Sequence, residues 1–218
     1  YLDQKKEAEE RIYEGETPGV SYGDIAERYY TVGQYMKEVK DVSKAMAAAG
    51  DSYICDEYLN AMGSPEAESV YVLHDLNNDG IEEFFIGLKF NYDIPYYVIY
   101  DVYTWKDGRA YQLMRGIGYR NGSCKICENG VIEDNYSGSA WDGQTLYHIL
   151  PEGGIELETI DSVSSRRDGT VQSYYHWNEL IDENSLQTIL EQYQPESVTY
   201  VDCNRETIEQ LRLSGIRK

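Results

Sequence analysis

The chain has 218 residues, with 19 Lys plus Arg against 39 Asp plus Glu, so its formal charge is −20 at pH 7. This length suits one substantial domain, and the negative field disfavours nucleic acids and anionic lipid heads while it favours divalent cations. No apolar run approaches the ~18 residues that a membrane-spanning helix requires.

Residues 1–62 are predicted to be a helical N-terminal segment. Ser21 provides a capped start. Apolar residues then recur every three or four positions along one face: Ile25, Tyr29, Val32, Met36, Val39 and Met46. Gly50 would end this helix, and a shorter helix would carry Tyr53, Ile54, Tyr58 and Met62. The amphipathic face predicts that the first helix packs on another layer of structure.

Residues 75–88, DLNNDGIEEFFIGL, carry the clearest chemical signal in the chain. Ca²⁺ takes six to eight oxygen ligands from carboxylates, amides, backbone carbonyls and water. Gly80, at the sixth position, permits the sharp turn that this ligation needs. The predicted ligands are the side chains of Asp75, Asn77 and Asp79, the carbonyl of Ile81, and Glu83 directly or through water. The alternative is an acidic turn that holds no metal.

The loop differs from an EF-hand, because position twelve is Ile86 and the flanking residues predict strands rather than helices. The pattern strand, D-x-N-x-D-G-x-x-E, strand is similar to the calcium loop of FG-GAP repeats in integrin-type propellers. Propellers need several copies of this repeat, and the sequence contains no second D-x-[DN]-x-D-G motif. We therefore expect a structural calcium ion, not a propeller.

Residues 69–176 predict an antiparallel β-meander, since alternating apolar runs are separated by turn residues. The predicted strands lie near Val70 to His74, Glu83 to Phe90, Tyr96 to Trp105, Ala110 to Met114, Cys124 to Cys127, Val131 to Asn135, Thr145 to Leu150, Glu156 to Val163 and Val171 to Tyr175. Tight links are predicted at Lys106-Asp107-Gly108, Asn129-Gly130, Glu152-Gly153-Gly154 and Arg167-Asp168-Gly169.

Residues 177–218 are predicted to be a C-terminal helical segment. Leu186, Ile189, Leu190 and Tyr193 mark one helix face, and Asn204 caps a last helix that ends before Gly215. A meander of about 8–10 strands must curl or split into two layers, and terminal helices can cover its apolar face. The predicted fold is α+β in one domain over residues 1–218, a curved antiparallel meander flanked by helices.

Several segments resemble a group of uncharacterised secreted proteins and lipoproteins of Gram-positive gut anaerobes. These segments are YVLHDLNNDGIEEFFIGL, YVIYDVYTWKDGRAYQL, GYRNGSCKICENGVIED and LYHILPEGG, within Val70 to Gly154. The resemblance implies an extracellular or cell-surface-anchored protein and brings no known activity. Tyr1 in place of Met is in keeping with a trimmed ectodomain.

The sequence contains no H-E-x-x-H, no phosphate-binding glycine loop and no dinucleotide fingerprint. The three histidines are expected to be hydrogen-bonded sheet residues. Glu133 with Asp134, or Asp101 across a neighbouring strand, could serve as a glycosidase acid and base. Four cysteines allow two disulfides or free buried thiols, and the sequence leaves their pairing open: Cys55, Cys124, Cys127 and Cys203.

Tyrosine is unusually common, at 22 residues against three each of Phe and Trp. Tyr buries its ring and keeps its hydroxyl wet, which suits either a half-buried sheet face or an aromatic platform that binds sugar rings or a protein. The candidate binding residues are Tyr97, Tyr100, Tyr103, Trp105 and, in a glycine-rich loop, Trp141.

The sequence thus favours a calcium-stabilised extracellular or cell-surface module that binds a glycan or a protein, with binding more expected than catalysis. The alternative is a secreted hydrolase that acts on a glycan or cell-wall polymer through a carboxylate pair.

Overall fold

A computed structural model of the chain describes residues 12–16, 21–49, 54–118, 124–137, 141–151, 155–164, 171–177 and 179–214. The helices are α1 (Tyr22–Val39), α2 (Val42–Ala49), α3 (Asp56–Met62), α4 (Glu183–Leu190) and α5 (Arg205–Ser214). The strands are β1 (Ile12–Glu16), β2 (Ala67–His74), β3 (Glu83–Phe90), β4 (Tyr96–Lys106), β5 (Arg109–Arg115), β6 (Cys124–Cys127), β7 (Val131–Ser137), β8 (Trp141–Ile149), β9 (Ile155–Ser164), β10 (Val171–His176), β11 (Glu179–Ile181) and β12 (Val201–Asp202). The α+β class is confirmed, with antiparallel sheets and with helices near both ends of the chain.

The chain divides into two compact units. One, called here the helical unit, comprises Arg11–Asp75, Gly80–Ile117 and Val198–Lys218. The other, called the meander unit, comprises Tyr1–Glu10, Leu76–Asp79 and Gly118–Ser197. Whether the two behave as the single domain expected over 1–218 stays a prediction.

The sheet of the helical unit has the order β1-β5-β4-β3-β2-β12, and all its pairings are antiparallel. Its four central strands follow one another along the chain, as the alternating pattern predicts. The two edge strands were not predicted, because β12 has only two residues and β1 lies in a segment expected to be helical.

The N-terminal helices pack on one face of this sheet. Ser21 caps α1 as predicted: its hydroxyl accepts from the Asp24 amide at 3.2 Å, and its own amide donates to the Asp24 carboxylate at 3.1 Å. The single helix expected to continue to Met46 is two helices, because Lys40 adopts a left-handed conformation with φ 52°. Gly50, Tyr53 and Gly215 lie outside the described residues.

A continuous apolar core fills the space between these helices and the sheet. It combines Ile25, Tyr29, Val32 and Met36 of α1 with Tyr58, Leu59 and Met62 of α3, and with Phe84, Ile86, Leu88, Val98 and Tyr103 of the sheet. Of the apolar stripe predicted for the first helix, the part from Ile25 to Met36 therefore lies in the core. Val39 is 41% exposed, and the side chain of Met46 lies outside the described residues.

The sheet has two irregularities in strand pairing, and the one between β3 and β4 decides which side chains of β4 face that core. The register shifts between Ile86 and Gly87 where β3 meets β4, and between Val102 and Tyr103 where β4 meets β5. At Gly87 the neighbouring strand comes so close that a Cβ atom would lie 2.1 Å from the Val98 carbonyl oxygen. Glycine is required there by close approach of two backbones.

The sheet of the meander unit has the order β11-β10-β9-β8-β7-β6, so each strand pairs with its neighbour in sequence. Helix α4 brings Leu186, Ile189 and Leu190 onto one face of this sheet, as predicted for the C-terminal helices. The sheet residues of that contact are Cys127, Val131, Leu146 and Ile160.

Positive φ angles occur at the two predicted turns that the structure describes. They are 53° and 79° at Asp107 and Gly108, and 64° and 77° at Asn129 and Gly130. Such paired left-handed residues match the right-handed twist of a hairpin. The turns at 152–154 and 167–169 lie outside the described residues. In the part of the chain that is described, no helix is both long and apolar enough to cross a membrane.

Candidate functional site

The predicted calcium loop joins β2 to β3, as expected from the sequence. Asn78 and Gly80 within it have φ angles of 58° and 86°. Open space surrounds the position where a Cβ of Gly80 would lie. The positive φ, rather than crowding, is therefore what favours glycine at the sixth position of the loop.

Side chains of the loop form hydrogen bonds with backbone atoms and with one another. In the helical unit, the Gly80 amide donates to Oδ2 of Asp75 at 3.0 Å. In the meander unit, the Asp79 amide donates to Oδ1 of Asn77 at 3.2 Å. Nδ2 of Asn77 donates to Oδ2 of Asp79 and to the Leu150 carbonyl, both at 3.2 Å. These contacts give the segment a defined turn.

Some of the predicted calcium ligands are accessible to an ion in the loop, and one is buried. Asp75, Asn77 and Asp79 are at least partly accessible and carry hard oxygen atoms, which Ca²⁺ prefers. Glu83, by contrast, is fully buried at the start of β3 and accepts a hydrogen bond from the Thr104 hydroxyl at 3.1 Å. Ligation by Glu83 and by the Ile81 carbonyl stays a prediction.

Among the described residues, no group of three or more His, Cys, Asp or Glu side chains is placed to hold a metal ion. This finding does not test the predicted calcium loop, because two of its expected ligands, the Asn77 amide and the Ile81 carbonyl, are not of those four types.

The aromatic platform predicted on β4 is not an exposed surface. Tyr100 and Tyr103 are 6% and 0% exposed and belong to the core of the helical unit, so expecting them to contact a ligand was wrong. Trp105 packs against the same core, and its ring meets that of Tyr22 edge to face at 6.0 Å. Tyr97 is half-buried and stacks on Tyr200 with the ring centroids 4.0 Å apart.

Trp141, the remaining candidate for binding, begins β8. Its side chain and residues 138–140 of the glycine-rich loop lie outside the described residues, so its role stays a prediction.

The exposed aromatic residues lie instead at the turn between β3 and β4. We call Phe90, Tyr92, Ile94 and Tyr96 the hairpin patch. Tyr92, Ile94 and Tyr96 are 50%, 83% and 47% exposed, whereas Phe90 is buried and stacks on the two tyrosine rings. The sequence signal was the segment NYDIPYY, in which large apolar residues occupy a turn that would ordinarily be polar.

A buried polar network lies on the core side of β4. The Tyr29 hydroxyl donates to Oδ2 of Asp101 at 2.5 Å and lies 2.8 Å from the Tyr103 hydroxyl, while the Gly116 amide donates to Oδ1 of Asp101 at 3.0 Å. Burial outweighs these hydrogen bonds and raises the pKa of Asp101 to about 6. Asp101 thus acts as an internal acceptor and has no access to solvent.

A second polar cluster lies on one face of the meander sheet. His148 on β8 pairs with Glu156, and His176 on β10 pairs with Ile160. Both histidines are therefore diagonal neighbours of Glu158 on β9. The Nε2 atoms of His148 and His176 lie 2.9 and 2.5 Å from the Glu158 carboxylate.

The Tyr193 hydroxyl, beyond α4, donates to the same carboxylate at 2.7 Å. Burial opposes ionisation of Glu158, but the hydrogen bonds from His148, Tyr193 and His176 prevail and lower its pKa to about 2. Two of the three histidines are thus hydrogen-bonded sheet residues, as predicted, and the third, His74, ends β2.

Glu133 and Asp134, one carboxylate pair suggested for a hydrolase, do not come together. Glu133 and Asp134 are consecutive in β7, so their side chains leave opposite faces of the sheet. Lys125 and Asn135 donate to Glu133 at 3.0 and 2.5 Å, and the Gly118 amide donates to Asp134 at 3.1 Å. Asp101 belongs to the helical unit, and its pairing with either residue stays a prediction.

Glu133 and Glu158 do share a face, but they lie on either side of the fully buried Leu146, to which both are paired. The space between these carboxylates is filled by an apolar side chain and covered by α4.

All four cysteines are free thiols in buried positions. Cys124 and Cys127 belong to the same strand and are three residues apart, so their side chains leave opposite faces of it. Burial raises the pKa of Cys203 to about 12 and that of Cys127 to about 11. Such thiols are inert packing residues, since reactive cysteines have lowered pKa values.

Comparison of the chain with protein-family models, with curated proteins and with solved structures gives no match.

Proposed function

We propose that this protein is a calcium-stabilised binding module that works outside the cell, on the cell surface or free of it. Its role is to bind a ligand rather than to transform one. The observation that carries this proposal is the hairpin patch, where two half-exposed tyrosines and a nearly fully exposed Ile94 stand together at a turn.

Contact with water is unfavourable for apolar side chains, so a cluster of exposed ones commonly marks an interaction site. Phe90, Tyr92 and Tyr96 also stack on one another, with centroid separations of 4.8 to 6.2 Å. The patch is consequently preorganised, which reduces the entropy lost on binding.

Calcium has a structural role in this proposal. Asp75, Asn77 and Asp79 would hold the ion with their side-chain oxygens, with the Ile81 carbonyl and Glu83 completing the set. Millimolar extracellular calcium fills even a weak site of this kind. A bound cation also offsets part of the repulsion within a chain that carries a formal charge of −20.

Thermal unfolding with and without calcium tests the metal part of the proposal. A ligand that binds only the folded state raises stability by RT ln(1 + [L]/Kd), so millimolar calcium should raise Tm and EDTA should reverse the effect. Asp79→Ala should abolish the response, while Asp107→Ala, in a different turn, should keep it. Equal Tm values in calcium and EDTA would count against the ion.

Ligand screening tests the binding part. The calcium-loaded protein should retain members of a glycan or surface-protein array, and it should release no cleaved product from the same ligands. Turnover of a polymer, abolished by Glu133→Gln, would instead favour the hydrolase.

A further inference from the structure

The hairpin patch has a definite geometry. The ring of Phe90 lies within 3° of parallel to that of Tyr92 and within 15° of parallel to that of Tyr96. The two tyrosine rings are 14° from parallel, with their centroids 5.9 Å apart. Phe90 belongs to the core of the helical unit, so it fixes the rings that stack with it.

We propose that the hairpin patch binds an uncharged oligosaccharide, whose pyranose rings stack on Tyr92 and Tyr96. The inference rests on the proposed role as a binding module and adds to it the ligand class and the residues in contact. A pyranose ring presents apolar C–H groups on its face and hydroxyls on its edge. A tyrosine offers both matching surfaces, an aromatic face and a phenolic hydroxyl.

The size of the patch argues against a stable protein partner. An aromatic side chain carries about 150–250 Å² of surface, so two half-exposed tyrosines and Ile94 present on the order of 300–400 Å². A stable protein interface needs roughly 800 Å² from each partner. An oligosaccharide of a few rings covers an area that the patch can match.

Charge argues against acidic ligands. Asp93 lies within the turn and is exposed, and the chain as a whole carries a formal charge of −20. Both repel uronic acids, sulfated glycans and phosphate chains. A quaternary ammonium ligand prefers aromatic rings that surround it as a cage, whereas these rings are nearly parallel.

The test measures affinity for cellohexaose, mannohexaose and chitohexaose, with polygalacturonic acid as the charged counterpart, by isothermal titration calorimetry in calcium. Tyr92→Ala and Tyr96→Ala should each weaken binding of the neutral ligand tenfold or more, by analogy with the loss of one stacked base on an aromatic side chain. Tyr96→Phe keeps the ring and should stay within a few fold of wild type.

Tyr111→Ala is the matched control. Tyr111 is a partly exposed tyrosine on β5 whose ring contacts Lys106 rather than the patch. Its removal should leave the affinity unchanged, and circular dichroism confirms that each variant is folded.

Different failures have different meanings. Neutral oligosaccharide binding that survives both alanine variants would overturn the patch as the site and leave the binding module standing. Tight binding of polygalacturonic acid alone, lost in Tyr96→Ala, would overturn the ligand class. Failure to bind any member of a broad glycan and protein array would overturn both this inference and the proposed function.

Discussion

Replacement of Asp101 by asparagine tests whether a buried charge controls the stability of the helical unit. Asp101 is fully buried, and its carboxylate accepts from Tyr29 at 2.5 Å and from the Gly116 amide at 3.0 Å. Asparagine has nearly the same shape and no charge. The Tyr29 hydroxyl could then accept from the new amide and donate to Tyr103, which lies 2.8 Å away.

The magnitude follows from the pKa. Burial raises the pKa of Asp101 from 3.8 to about 6, and each pKa unit between the folded and unfolded states corresponds to about 1.4 kcal/mol. The folded protein therefore binds this proton more tightly than the unfolded chain. Its free energy of unfolding should fall as pH rises from about 4 to about 6 and then level off, by roughly 3 kcal/mol in all.

The Asp101→Asn variant has no proton to lose at this position, so it should lack this decline. We expect urea unfolding at several pH values from 4 to 7.5, at constant ionic strength, to show a wild-type stability that drops by roughly 3 kcal/mol more than that of the variant. Hydrogen exchange of the β4 amides localises the effect to the helical unit. Parallel stability curves for the two proteins would refute the reasoning, because they would mean that Asp101 ionises alike in both states.

Three further variants, with Leu213→Ala as a control, address other parts of the chain. Glu158→Gln should make the free energy of unfolding less dependent on pH between 4.5 and 2. The Glu158 carboxylate, with a pKa of about 2, stabilises the folded state fully above pH 4.5 and loses that contribution as pH falls toward 2. After a discount for solvent screening, we expect wild type to lose about 1–2 kcal/mol more than the variant over this pH range in urea unfolding. The same loss in both proteins would contradict the prediction. Gly87→Ala should cost at least ~3 kcal/mol or prevent folding, since its Cβ would meet the Val98 carbonyl at 2.1 Å; near-native Tm would contradict this. Leu146→Ala should cost about 2–5 kcal/mol by leaving a cavity under α4, whereas Leu213→Ala, at an exposed site, should change thermal stability little.

Local structure was largely readable from the sequence because its causes are local. Predicted and observed bounds agree for β3 and β6, the cap at Ser21 is present, and the Asp107-Gly108 and Asn129-Gly130 turns have the expected positive φ angles. Each of these features depends on residues within a few positions of one another. The calcium motif is also a local pattern, and its spacing is what supports the proposed ion.

The faces of β4 could not be predicted from the sequence, because a bulge breaks the simple alternation of its side chains. Ile99 pairs with Gly87 and Asp101 with Ile86, so two residues that are two positions apart project from opposite faces. This shift sends Tyr103 into the core and left the predicted aromatic platform without an exposed surface. A bulge depends on how the neighbouring strand is paired, which the sequence of β4 alone does not reveal.

The amino-acid sequence was sufficient to predict the α+β class, most strands and helices, and the strong negative charge, and its D-x-N-x-D-G spacing is the basis for the proposed calcium ligands. Contacts between distant groups became visible in the folded chain: Asp101 meets Tyr29, 72 positions away, and Glu158 meets two histidines and a tyrosine from three other segments. The fold also leaves Tyr92 and Tyr96 half-exposed while it buries tyrosines such as Tyr29 and Tyr103. The physical reason is that periodicity and turn chemistry act over a few residues, whereas burial and the resulting pKa values depend on surfaces contributed by the whole fold.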